Sequence, residues 1–190
     1  MPGSRPECSP KRSASGPDAG GGVADAAAGS RLLFDLGGVD RAAVLQPREQ
    51  IEKWIPHRDQ MMLLDRVVWM SHDQRQAVAM RRIRDDEWWV KGHFPGKPIL
   101  PGVIMIETAA QLACWQWTFR QGAPSGVAFL RIEDTVFRNM VVPGEDFFVL
   151  CQEVKFTNRR FIADVQGVVG DRLIFSSRLT GMKTELPVAP

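Results

Sequence analysis

Residues 102–119, GVIMIETAAQLACWQWTF, carry a single charged side chain, Glu107. The apolar positions are not confined to a stripe. Val103, Ile104, Met105, Ile106, Ala109, Ala110, Leu112, Ala113 and Trp115 cover most of the circumference of a 3.6-residue helix. A helix that is apolar all round must be buried all round. It does not resemble a membrane span, because Glu107, Gln111 and Gln116 interrupt it. A soluble chain can bury such a rod only by wrapping a sheet around it. The rest of the sequence supplies that sheet. Residues 61–70, 74–83, 126–132, 146–156, 160–169 and 172–182 read as strands. Turn signals fall at His72-Asp73, Pro143-Gly144, Asn158 and Gly170-Asp171. A short helix over 47–54 opens the domain, with Pro47 at its first turn and Pro56 beyond its end. The expected class is α+β, an antiparallel sheet wrapped around one long central helix.

The chain of 190 residues is one domain by length. Residues 1–46 are rich in Gly, Ala, Ser and Pro near their start and read as a disordered or loosely docked extension. Leu32, Leu33 and Phe34 are the first apolar cluster and are candidates to dock on the domain. The domain is expected over 47–185, with a short tail over 186–190. A net charge of +2, with no Lys/Arg block, excludes a nucleic-acid footprint. The three cysteines are odd in number and widely spaced, which fits a reducing compartment. His57, His72 and His93 are the only histidines and none has a His or Cys at ligand spacing, so no zinc site is expected. A cytoplasmic location is expected. The Ala, Ser and Arg of the extension leave organelle import open, against its acidic residues Glu7, Asp18 and Asp25.

The segment before the long helix, GHFPGKPILPG, is where chemistry is most legible. His93 is a base that can be neutral near pH 7. Pro95, Pro98, Gly92 and Gly96 restrict the turn that carries it. Glu107 lies five residues beyond Gly102, about 7.5 Å along a helix axis. Burial favours its protonated form, as a general acid requires. Gln111 is one turn further and shares its face, where it could orient the carboxyl. Gly102 starts the helix, whose first N–H groups are free and carry partial positive charge. Blander readings stand beside these. His93 could simply bind backbone in its turn, Glu107 could pair with Arg131 or Arg138, and Pro101-Gly102 could be an ordinary helix start.

These motifs resemble the β-hydroxyacyl-[acyl-carrier-protein] dehydratases, which have the hotdog fold. The resemblance rests on IPHRDQMMLLDRV at 55–67, on GHFPGKPILPGV followed by Glu107 and Gln111, and on FRNMVVPGED at 137–146. It covers about residues 50–182. It implies that His93 removes the α-proton of a (3R)-3-hydroxyacyl thioester and that Glu107 protonates the departing hydroxyl. The Gly102 N–H would hold the thioester carbonyl, with Val103, Phe94 and Gln111 also around the substrate. It implies a trans-2-enoyl product, no metal or organic cofactor, and fatty-acid or related acyl-chain synthesis. It further implies a homodimer whose sites take residues from both subunits, with a trimer of such dimers as a further assembly. Glu at 107, rather than Asp, resembles the branch that only dehydrates.

The chain has no tyrosine, whereas many relatives place one at the acyl tunnel, so Phe129 or Leu130 is expected to line that region. The Trp115-Gln116-Trp117 run is unusual and is a candidate to reshape the tunnel. An acidic carrier protein would be steered by a basic rim, for which Lys97, Lys155, Arg159 and Arg160 are the candidates. A hotdog acyl thioesterase is the alternative enzyme, and an acyl-binding module that kept the fold is the non-enzyme alternative.

Overall fold

Alternate residues of the middle strands belong to two different apolar clusters. In the computed structural model, which describes residues 31–185, Val67, Ala77, Ala79, Phe147, Val149 and Cys151 lie in one cluster with the long helix. Their chain neighbours Val68, Val78, Met80, Phe148 and Leu150 lie in the other. Side chains alternate across a strand, so both faces of this sheet are covered.

The strands are β1 (Gln46–Pro47), β2 (Arg66–Met70), β3 (Gln76–Arg82), β4 (Gly126–Phe137), β5 (Asp146–Phe156), β6 (Arg160–Val169) and β7 (Arg172–Thr184). Every pairing is antiparallel, in the order β1-β2-β3-β5-β6-β7-β4. Between β1 and β2 lie a short helix α1 (Arg48–Ile51) and a 3-10 turn (Asp59–Met61). Helix α2 (Gly102–Gln121) packs against β3, β5, β6 and β7. It is the rod expected from the sequence, two residues longer, ended by Gly122 at φ 71°. Only a residue without Cβ takes that conformation freely. The fold is the hotdog arrangement expected from sequence. Among the described residues no helix is long and apolar enough to cross a membrane.

Several boundaries differ from the sequence reading. The helix expected over 47–54 is a single turn, because Pro47 pairs with Arg66 as a strand residue and the chain turns again by Trp54. The strand expected over 61–70 starts only at Arg66, since residues 61–65 leave a 3-10 turn and enter β2 late. The strand expected over 126–132 runs on to Phe137, because β4 pairs with β7 along its whole length.

The outer cluster is closed by residues 32–39. Leu36 is buried there, and Leu32, Leu33, Phe34 and Val39 pack against it. The Leu33 N–H donates to Gln166 Oε1 at 2.9 Å, and the Arg41 guanidinium donates to the Gly170 carbonyl at 3.1 Å. The compact unit therefore begins at Leu32. The expectations for residues 1–30 and 186–190 lie outside the described residues.

Candidate active site

His93 sits in a loop closed on itself by backbone bonds. Its N–H donates to the Trp89 carbonyl at 2.8 Å, and its carbonyl accepts from the Ile99 N–H at 2.9 Å. The ring is fixed as well: Nδ1 lies 2.8 Å from the Ile99 carbonyl. A carbonyl only accepts, so Nδ1 carries a proton, and in the neutral ring the lone pair is on Nε2. The blander reading, a histidine bound to backbone, is thus half true. The backbone bond is present, and it occupies Nδ1 alone.

The loop is tied to α2 through a buried arginine. Arg81 of β3 is 2% exposed. It donates to Glu87 Oε2 and, at 3.1 Å, to Thr108 Oγ1 on α2. Glu87 also accepts from Trp89 Nε1 at 2.9 Å and from the Arg84 N–H at 3.0 Å. Burial pulls the Arg81 guanidinium below its ordinary value, and the Glu87 charge pulls it back. Arg81 therefore joins the segment leading to His93 to the helix turn that carries Glu107.

Glu107 is held by one of its two oxygens. Gln111 Nε2 donates to Oε1 at 2.9 Å, as the four-residue spacing suggested. The orientation of that amide is determined. Gln111 Oε1 accepts from the Leu63 N–H at 2.9 Å, and Nε2 donates to the Met61 carbonyl at 2.7 Å. Flipping the amide would break both bonds. His57 Nε2 lies 3.2 Å from the same Glu107 Oε1. Neither arginine weighed as a partner reaches Glu107. Arg131 pairs with Glu133, and Arg138 binds Val136 and Ser176.

A cavity of about 90 Å³ opens from Glu107. Its walls include Ala110, Cys114, Val127, Phe129 and Phe161. Phe129 thus lines the region where a tyrosine was missing, and Leu130 does not. Trp115 turns away from the cavity to stack on Phe119, while Trp117 packs on Phe161, one of its walls. Burial pushes the Cys114 thiol up to about 12 and the Cys151 thiol higher still, so both are inert, protonated fillers.

Gly102 stands at the first turn of α2, which no side chain caps. A Cβ there would sit 2.8 Å from the Phe137 ring, so glycine lets β4 close on the helix start. Val103, next in the chain, and Phe94, in the His93 loop, are 70% and 56% exposed. The four candidate rim cations do not form one patch within a chain. Lys155, Arg159 and Arg160 flank the β5–β6 turn, whose Thr157 carbonyl accepts from Trp117 and Gln121 near the end of α2. Lys97 precedes the start of α2, about 30 Å of helix away.

Within one chain His93 and Glu107 make no bond to each other, and His93 is not among the cavity walls. The sequence reading did not single out His57 as a site residue. It weighed that histidine only as a metal ligand, and its partner is fifty positions away (107 − 57 = 50), where no spacing rule operates.

The chain thus has a hotdog sheet around a buried helix, with an imidazole bound at Nδ1 and a carboxyl anchored by Gln111. Comparison narrows the class. A FabA-like domain family model matches residues 55–178, and the chain belongs to that family. It is 39% identical over 137 residues to a 3-hydroxyacyl-[acyl-carrier-protein] dehydratase FabZ of Alkaliphilus metalliredigens, covering 69% of this chain and 89% of the relative. A FabZ of Novosphingobium aromaticivorans is 37% identical over 134 residues, covering 67% and 82%. Among solved structures, the dehydratase heterocomplex ApeI:P from Xenorhabdus doucetiae matches with a TM-score of 0.62 at 15% identity, over 71% of this chain and 91% of that one. The virulence protein Cj0977 of Campylobacter jejuni matches with 0.58 at 8%, over 78% and 97%. At these identities the solved structures support the fold alone.

Proposed function

We propose that the protein dehydrates (3R)-3-hydroxyacyl thioesters carried on acyl carrier protein to trans-2-enoyl thioesters, in fatty-acid or related acyl-chain synthesis. The observation that carries this is the fixed tautomer of His93, whose Nε2 lone pair is free while Nδ1 is bound to Ile99. His93 Nε2 takes the proton from Cα. The electron pair forms the Cα–Cβ double bond as the C3–O bond breaks, passing through an enolate-like thioester. The N–H groups at the start of α2 stabilise the oxygen of that species. Glu107 gives its proton to the departing hydroxyl, which leaves as water. His93 ends protonated and Glu107 ionised, and solvent resets both. The acyl chain occupies the cavity beyond Glu107. A thioesterase would leave the prepared His93 without a task. The test is hydration of a crotonyl thioester, the reverse reaction, followed by loss of enoyl absorbance. Thiol release without hydration would favour the thioesterase, and neither activity would favour the acyl-binding module. The free thiols Cys114 and Cys151 suit the reducing cytoplasm.

The site is completed by a second copy. β4 is a twelve-residue edge strand that exposes Phe129, Leu130, Ile132, Val136 and Phe137. A long apolar edge calls for a partner, and closed two-fold pairing satisfies it. The partner's His93 loop then meets this chain's Glu107. The Ile132→Asp variant is expected to sediment as a monomer and to lose hydration activity. A dimeric, fully active variant would refute pairing through β4.

Carrier docking falls to Lys155, Arg159 and Arg160, which are exposed together. Reversing charge at Arg159 and Arg160 is expected to raise KM for a carrier-bound substrate about tenfold and to leave coenzyme A thioesters unchanged. An unchanged carrier KM would reject this surface.

A further inference from the structure

We propose that His57 is a positioning residue: its Nε2–H donates to Glu107 Oε1 and, together with Gln111, leaves Oε2 as the oxygen that exchanges a proton with substrate. The inference rests on the dehydratase reading for its kinetic consequence but on geometry for the contact itself. Gln111 cannot flip, so Glu107 Oε1 is already an acceptor. With Glu107 ionised, a second group 3.2 Å from that oxygen must also donate, or two lone pairs would oppose each other. His57 therefore carries its proton on Nε2. Its Nδ1 is buried with no hydrogen-bond partner. A buried lone pair without a partner costs less than a buried N–H without one, so the ring is the neutral Nε2–H tautomer. His57 and His93 are thus held in opposite tautomers, one as a donor to the acid and one as a base.

Within one chain the titratable groups facing Glu107 are few, and in the proposed dimer the partner's His93, unchanged in every variant compared, is added to them. His57 comes from the connection between α1 and the 3-10 turn, and Cys114 stands two turns further along α2. β4 and β6 present Val127, Phe129 and Phe161, none of which titrates. Cys114 stays protonated. Removing His57 therefore alters Glu107 with little compensation from other charges. A donor to a carboxylate favours its ionised form. In hydration Glu107 must be ionised to take a proton from water, so its titration is the low-pH limb of the rate profile. In His57→Ala that limb is expected about one pH unit higher, with kcat reduced about tenfold at pH values below the limb and KM for crotonyl thioester within twofold of wild type. His57→Gln places an amide N–H where Nε2 was and is expected to restore the limb.

The second readout needs no turnover. The Glu107 carboxyl carbon, assigned by its loss in Glu107→Gln, is titrated by ¹³C NMR in wild type and in both His57 variants. A midpoint raised in His57→Ala and returned in His57→Gln supports the role. Coincident midpoints, or a rate loss with an unmoved limb, overturn it. Should His57→Ala not fold, His57→Gln and His57→Leu make the same comparison of donor against non-donor. Absence of wild-type hydration would sink the dehydratase reading while the NMR titration still decides the contact.

Discussion

His93→Ala and Glu107→Ala are each expected to lower hydration of crotonyl thioester by about 10²- to 10⁴-fold at pH 7, the usual worth of one positioned acid or base. The loss should appear in kcat, because neither residue is needed to hold the thioester in the ground state. The double variant should be little worse than either single one, since each group is useless without the other. Glu107→Gln is the sharper probe. Its amide can keep an oxygen against Gln111 and His57 while supplying no carboxyl proton, so the dimer should remain folded and inactive. Mixing His93→Ala with Glu107→Ala subunits should recover activity in hybrid dimers, because one of the two shared sites is then intact. Activity within tenfold of wild type in either alanine variant would remove that residue from the mechanism.

Arg81→Met is expected to cost about 3–5 kcal/mol, because it strands Glu87 as a largely buried carboxylate without its cation. For a domain of this size that corresponds to a melting temperature lower by roughly 6–20 °C. Part of the loss should return in Arg81→Met combined with Glu87→Gln, which removes the orphaned charge as well. Activity should fall further than stability alone explains, since Glu87 holds Trp89 Nε1 and the Trp89 carbonyl holds the His93 amide. A melt within 2 °C of wild type for the single variant would show that the cluster is solvated and its pairing unimportant.

The helix was the most legible element. An apolar surface on every side of residues 102–119 leaves a wrapped sheet as the soluble solution, and β5 and β6 have the bounds their composition indicated. Turn chemistry at Pro143-Gly144 and Gly170-Asp171 is equally local, because backbone conformation there depends on the residue itself. Pro47, residues 52–54 and residues 61–65 were misread, because strand pairing at Pro47, an early helix end and late entry into β2 overrode local propensity.

The site divides in the same way. His93, Glu107 and Gln111 stand out in one short segment, and the Glu107–Gln111 bond follows from helical spacing alone. The His57 contact, the Arg81–Glu87–Thr108 cluster and the seating of residues 32–39 on the outer face of the sheet join positions far apart in the chain. No local pattern encodes such contacts. They exist because a sheet curved around a helix brings distant strands and loops within hydrogen-bond reach, so only the tertiary structure decided which polar groups face one another.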